Sequence, residues 1–464
     1  MTVTDTDIDA LAAGDSPAEK VPLSFNQEFL CAFDEGNEVG AFGPKYNIVY
    51  GWRVSGHVDP ESLQRAMNLV VERHEALRTT VIRGEEKYQL VHPPSPAKLE
   101  VRDLPGVDPA DRALCAEELL VELEGGSYYV TDVPVFRAVL ARFDDNDSVL
   151  VLIAHHTAVD GWAIHLVIRD LAHFYATLRG HELPPLPHAA QYREYVEWEQ
   201  QRYTETAMTR SREYWRENLA GTEVHSLETD WPKSEGREKH TAVERFQIDR
   251  DVVAAVLDLA KETRSSAFMV MLAAQYVYLS RASGKTDLTV STVASGRGTA
   301  RFQETVGSFF NFLPLRTELA GCGTFREVIK AARATCLRAY SNQIPFAQVM
   351  GDTPAFGRPW FTDGLAVFPF QVFQFPYVME REVVGDLELS EIRTRTLPQE
   401  DGADIPDGAL WTLDLNAESC ELVGGLQFNS NLYRRETIQE IMATFFQVLR
   451  ETVLAPDAEL TLPE

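Results

Sequence analysis

The chain has 464 residues, more than one compact domain usually holds, so two domains or lobes are expected. Apolar residues make up 45% and charged residues 24%, a globular balance, and a formal net charge of −27 argues against nucleic acid or an anionic membrane as a partner. No apolar run reaches about 18 residues, so no membrane span is expected, and the acidic stretch 1–20 lacks both the basic and the apolar region of a secretory signal.

That first stretch is expected to be a disordered tail. Tyr46–Val54 alternates and carries aromatic and β-branched residues, which predicts a strand. Asp59-Pro60-Glu61 then supplies an N-cap, a first-turn proline and an acidic residue, and Leu63, Met67, Val70 and Val71 give the following helix its apolar stripe. Arg78–Ile82 reads as a strand. Phe136–Phe143 and Ser148–Ala154 flank the polar turn 144–147 as a hairpin. Val149–Ala154 is apolar throughout, as a strand covered on both faces must be.

A helix is predicted from about Trp162 to Leu178, with Ile164, Ile168, Leu171 and Tyr175 on its apolar side. The Pro-rich stretch Leu183–His188 reads as a linker. Beyond it, Tyr192–Leu219 is expected to be one long helical region, Ser266–Ser280 an apolar helix and Leu288–Val293 a buried strand. Strand-like segments follow at Ala366–Phe375 and Leu422–Phe428, then a last helix at Glu436–Thr452. The expected division is an N-terminal lobe over 21–185 and a C-terminal lobe over 186–464, both α/β.

The cysteines suggest no catalytic or structural cluster. Cys31, Cys115, Cys322, Cys336 and Cys420 are odd in number and contain no CxxC pair, which fits reduced thiols in a cytoplasm. The chemistry is concentrated in His155-His156-Thr157-Ala158-Val159-Asp160-Gly161, between a buried strand and a helix. A helix N-terminus offers free N–H groups and a positive dipole end, and Gly161 permits a tight backbone there. A neutral imidazole can act as a base at cellular pH. Adjacent histidines on a strand point to opposite faces, so His155 is expected to be structural. Asp160 is expected to lock the loop through an ion pair or backbone hydrogen bonds. A metal site from His155, His156, Asp160 and His165 is a rival reading, weakened by the divergence of neighbouring ligands on a strand. No GxSxG elbow or GxxxxGK[ST] loop occurs.

The segment 155–161 resembles the HHxxxDG motif of nonribosomal peptide synthetase condensation domains and related acyltransferases. Other segments match in the family's order: Pro22–Gln27, Arg73–Thr80, Tyr192–Trp198, Ala294–Arg297, Val306–Arg316 and Asn342–Phe346. The resemblance implies two chloramphenicol-acetyltransferase-like lobes forming a V around a central tunnel. It implies a catalytic His156, and a Gly161 that shapes the loop and could offer its N–H to an oxyanion. Asp160 would be structural, with Arg297 as its ion-pair partner across the lobes. Gln371 is carried over to the acceptor side, although Val367–Pro376 aligns ambiguously. The late RDxSRNPL motif is reduced to Gly357-Arg358-Pro359-Trp360, which leaves the acceptor open.

The implied activity is transfer of an acyl group, aminoacyl by expectation, from the phosphopantetheine arm of a loaded carrier protein to a free small-molecule alcohol or amine. No metal or cofactor of its own is expected. The chain's own boundaries suggest a free-standing enzyme, similar to those that attach a carrier-bound β-amino acid to an enediyne core. Ester formation is favoured over amide. The alternatives are a CoA-dependent acyltransferase, an epimerase-like relative and a non-catalytic docking relative.

Overall fold

A computed structural model of the chain describes residues 18–463. The tail expected over 1–20 therefore lies mostly outside the described residues. Its last two members, Glu19 and Lys20, belong instead to a short strand, Glu19–Val21, paired antiparallel with Lys87–Val91.

The N-terminal half is built on a six-stranded sheet. Three of its inner strands are Asn47–Ser55, Asp147–His155 and Phe136–Asp144, with the parallel edge strand Lys98–Asp103 on one side. Alternation divides the apolar residues between two cores. Leu150, Leu152 and Ala154 face the helices Pro60–Arg73 and Gly161–Leu178. Val149, Val151 and Ile153 face the helix Arg112–Glu124. That two-sided cover explains the continuous apolar run. Asp59 caps the first of these helices, accepting the Ser62 N–H at 2.8 Å.

The C-terminal half has a four-stranded sheet ordered Phe370–Phe373, Ala409–Asn416, Glu421–Asn429, Thr241–Gln247. Its largest core gathers the helices Arg250–Thr263, Ala267–Ser283, Phe325–Ser341 and Arg435–Leu454.

The two halves exchange segments. Tyr192, Tyr195 and Val196, beyond the linker, pack into the N-terminal core. A hairpin of Glu382–Val384 and Leu387–Glu391 crosses back, and its second strand pairs with Asn47–Ser55, completing the six-stranded sheet. The chain just after this crossover hairpin then grips the helix Arg112–Glu124. Arg395 of this stretch, with Arg245 of the C-terminal half, meets Glu124, and the Leu397 N–H reaches Glu117 at 2.6 Å.

Two expected elements are divided. Tyr192–Leu219 is two helices, Tyr192–Arg202 and Glu205–Asn218, because Tyr203 leaves helical geometry and Thr204 caps a new start through the Ala207 N–H. Ala366–Phe375 is split between Leu365–Val367 and Phe370–Phe373, which join different sheets.

Candidate active site

The buried strand Asp147–His155 delivers the two histidines to the edge of the interlobe space. His155, its last residue, turns inward and is 2% exposed. Its Nε2–H donates to the Gly43 carbonyl at 3.1 Å, and its Nδ1 accepts from the Thr157 hydroxyl at 2.8 Å. Burial pushes its pKa down to about 4, so it stays neutral.

His156 follows with the opposite orientation and is half-buried. Its main-chain N–H is held by the Tyr46 carbonyl at 2.8 Å. Its Nδ1 lies 2.7 Å from the Val159 carbonyl. A carbonyl can only accept, so Nδ1 carries the proton and Nε2 presents a lone pair. The Tyr46 ring stacks on the imidazole, centroids 4.7 Å apart, and Phe310 lies 5.9 Å away. Burial lowers the pKa of His156, which favours the neutral ring.

Asp160 ends the loop and caps the helix Gly161–Leu178, accepting the Ala163 N–H at 2.7 Å. The same carboxylate reaches across to the C-terminal half. Arg297 meets it at 3.1 and 3.2 Å, and the Phe309 N–H donates to it at 3.0 Å. Arg297 also donates to the carbonyls of Phe302 and Thr305, at 3.0 and 2.6 Å. Asp160 thus ties the loop, its helix and the facing segment together.

Gly161 occupies the first helical position, where N–H groups lack intrahelical partners. A Cβ on Gly161 would lie 2.7 Å from Phe375 Cε1, so a larger residue there requires that ring to move. Gln371 lies on the strand Phe370–Phe373, in register with Thr412. Its neighbour Phe370 enters the C-terminal core, so alternation turns Gln371 to the opposite, interlobe face. Phe373 shares that face and stacks on Phe375 at 5.5 Å. Gly357–Trp360 lies elsewhere; Trp360 packs on Phe346 and Phe356.

The ligands of the rival metal reading do not converge. Among the described residues, no group of three or more His, Cys, Asp or Glu side chains is placed to hold a metal ion. Nor is any helix among them long and apolar enough to cross a membrane.

The profile of the condensation-domain family matches residues 18–462. The chain belongs to that family. This condensation domain is 29% identical to a linear gramicidin synthase of Brevibacillus parabrevis over 95% of its own length, though it spans only 8% of that relative. A probable non-canonical nonribosomal peptide synthetase, CymA, of Salinispora arenicola is 30% identical over 96% of this chain and 6% of the relative. Among solved structures, SgcC5 of Streptomyces globisporus, in complex with (R)-(-)-1-(2-naphthyl)-1,2-ethanediol and sucrose, is 44% identical. It aligns with a TM-score of 0.90 over 94% of this chain and all of that one. The X-domain from teicoplanin biosynthesis aligns with a TM-score of 0.74 at 20% identity over 98% of this chain and 99% of that one, a likeness of fold alone. The two lobes of this condensation domain are of the chloramphenicol-acetyltransferase type.

The structure brings His155, His156, Asp160, Gly161 and Arg297 into one neighbourhood and places Gln371 on the interlobe face. Reading the sequence alone misses the Tyr46 platform, the Phe309 N–H on Asp160, the Phe375 ring over Gly161 and the pairing of His165 with Glu391. Only His165 leaves a signal: it stands four residues after Gly161, where a helical side chain faces back to that carbonyl.

Proposed function

We propose that this condensation domain transfers an acyl group from a carrier-protein phosphopantetheine thioester to a small alcohol, with His156 as general base. The observation that carries the reading is the fixed tautomer of His156. Nδ1 is committed to Val159, so Nε2 is free to take a proton from a nucleophile.

The hydroxyl proton passes to Nε2 as the oxygen attacks the thioester carbonyl carbon. The tetrahedral oxyanion forms beside the first-turn N–H groups at Gly161 and Trp162, aided by the positive end of the helix. Collapse breaks the carbon–sulfur bond, and the departing thiolate recovers the proton from the imidazolium. An alcohol needs such a base more than a neutral amine does. The acceptor class is supported by the likeness to SgcC5, whose complex contains an aryl vicinal diol. An aminoacyl donor and an enediyne pathway are the narrower form of this proposal, resting on the subgroup resemblance.

The test offers an aminoacyl-loaded carrier protein, or the matching acyl-CoA, to paired vicinal-diol and amino-alcohol acceptors. Products are identified by mass and base lability. Base-labile ester from the carrier donor is expected. Exclusive amide would replace the alcohol with an amine, and turnover from CoA alone would replace the donor. No turnover from either donor would favour a docking role and overturn the reading.

A further inference from the structure

Both ring nitrogens of His165 face acceptors. Nδ1 lies 2.6 Å from the Gly161 carbonyl, and Nε2 lies 3.1 Å from Glu391 Oε2. A peptide carbonyl can only accept, so Nδ1 carries hydrogen; Nε2 carries one as well when Glu391 is the carboxylate, which makes the ring an imidazolium. The pair is enclosed: His165 is fully buried, and the Glu391 side chain is 2% exposed.

The surroundings suit a cation. Phe375 stacks on the imidazole with centroids 4.3 Å apart and planes 17° apart. Tyr50 and Trp52, on the Asn47–Ser55 strand, meet it edge-on at 5.0 and 6.3 Å. Asp414 approaches from the four-stranded sheet and is itself bound by Arg393 at 2.8 Å. Burial alone would lower the pKa of His165, but Glu391, the Gly161 carbonyl and, more weakly, Asp414 outweigh it, and the net direction is up.

We propose that His165 and Glu391 form a positioning ion pair that polarises the first turn of the helix Gly161–Leu178 and strengthens its donors toward the acyl oxyanion. The Gly161 carbonyl belongs to the peptide whose N–H is that of Trp162. A cation hydrogen-bonded to the oxygen draws electron density from that peptide and makes the N–H a stronger donor. The arrangement also clamps Phe375 over Gly161, and Glu391 comes from the crossover hairpin, so the pair aligns the two halves at the site. His165 acts through the helix backbone, not on the reacting atoms. This inference rests on the acyl-transfer reading above.

Two measurements on the full chain test it. Nitrogen-15 spectra of histidine-labelled protein at neutral pH should show one buried ring protonated at both nitrogens, its signal lost in His165→Gln. A neutral tautomer for that ring would overturn the proposal. In carrier-to-acceptor transfer, His165→Gln should lower kcat about tenfold, less than the loss of a whole oxyanion donor, with KM for both substrates unchanged. Glu391→Gln removes the carboxylate that raises the pKa of His165, so the basic limb of the kcat profile should move to lower pH. Glu391→Asp should restore its position, and the acidic limb set by His156 should stay in place throughout. Unchanged kcat and pH profile in folded His165→Gln or Glu391→Gln would overturn the proposal. Failure of the wild-type protein to transfer at all would instead overturn the acyl-transfer reading and with it the oxyanion role, while the nitrogen spectra still decide the charge of the pair.

Discussion

The loop His155–Gly161 and the segment Val367–Pro376 border the same interlobe space but are held by different means. The loop is fixed by hydrogen bonds: His155 to Gly43 and Thr157, His156 to Val159, Asp160 to Ala163, Arg297 and Phe309. The segment's backbone is tied by the pairing of Val367 with Ser226 and of Phe370–Phe373 with the neighbouring strand, but its site-facing side chains are held by stacked rings, Phe373 on Phe375 and Phe375 on His165. Hydrogen-bonded anchors allow one geometry, as chemistry requires. Ring packing tolerates changes of size and shape more readily, which suits a surface that selects substrates. Substitutions should therefore affect stability and turnover in the loop, and substrate preference in the segment.

The largest effect short of His156, the proposed general base, is expected at Asp160. Asp160→Asn leaves the Arg297 guanidinium buried without its counter-charge, a loss of about 3–5 kcal/mol. Urea unfolding should show it as a lower midpoint together with reduced activity. A fully stable but inactive Asp160→Asn would mean that the carboxylate takes part in the chemistry and does not merely anchor the loop.

Next comes His155. Its pKa of about 4 lies below the ordinary histidine value, so the unfolded chain binds the extra proton first as pH falls. Its contribution is intact above about 6.5 and is lost as pH falls toward 4, on the order of 3 kcal/mol in all. The unfolding midpoint of the wild type should fall more between pH 7 and 4.5 than that of His155→Gln. Parallel curves would remove His155 from the anchors.

Gly161→Ala should cost roughly 1–3 kcal/mol of stability through overpacking against Phe375. Adding Phe375→Leu relieves the clash, so the double variant should recover part of that loss. If it is no more stable than Gly161→Ala alone, the close approach is not the constraint.

The smallest effect belongs to the segment. Gln371→Ala should leave the unfolding midpoint unchanged and raise the acceptor KM by no more than about tenfold, the worth of one hydrogen bond of roughly 0.5–1.5 kcal/mol. A large drop in kcat with unchanged KM would place Gln371 among the groups that act on the reacting atoms.

The same division separates what is legible in the sequence from what is not. The strand Asp147–His155 and helix Gly161–Leu178 are legible because their determinants are local: a continuous apolar run and a helical stripe. The break at Tyr203 escapes a reading for helical composition, although Thr204 is available as a local cap. The crossover hairpin leaves no such mark, because its strand gains meaning only by pairing with Asn47–Ser55 far away in sequence. His165 and Glu391 are 226 residues apart, and nothing near either one announces the other. The family motifs point to His156, Asp160 and Arg297, but the tautomer of His156 depends on the turn that carries Val159 back over it.

The most direct measurement is single-turnover transfer from an aminoacyl-loaded carrier protein to an aryl vicinal diol, comparing wild type with His156→Ala. The wild type should form the ester, and folded His156→Ala should do so roughly 10²–10⁴-fold more slowly, the usual cost of losing a general base. Transfer by folded His156→Ala at the wild-type rate would contradict the assignment of His156 as the base.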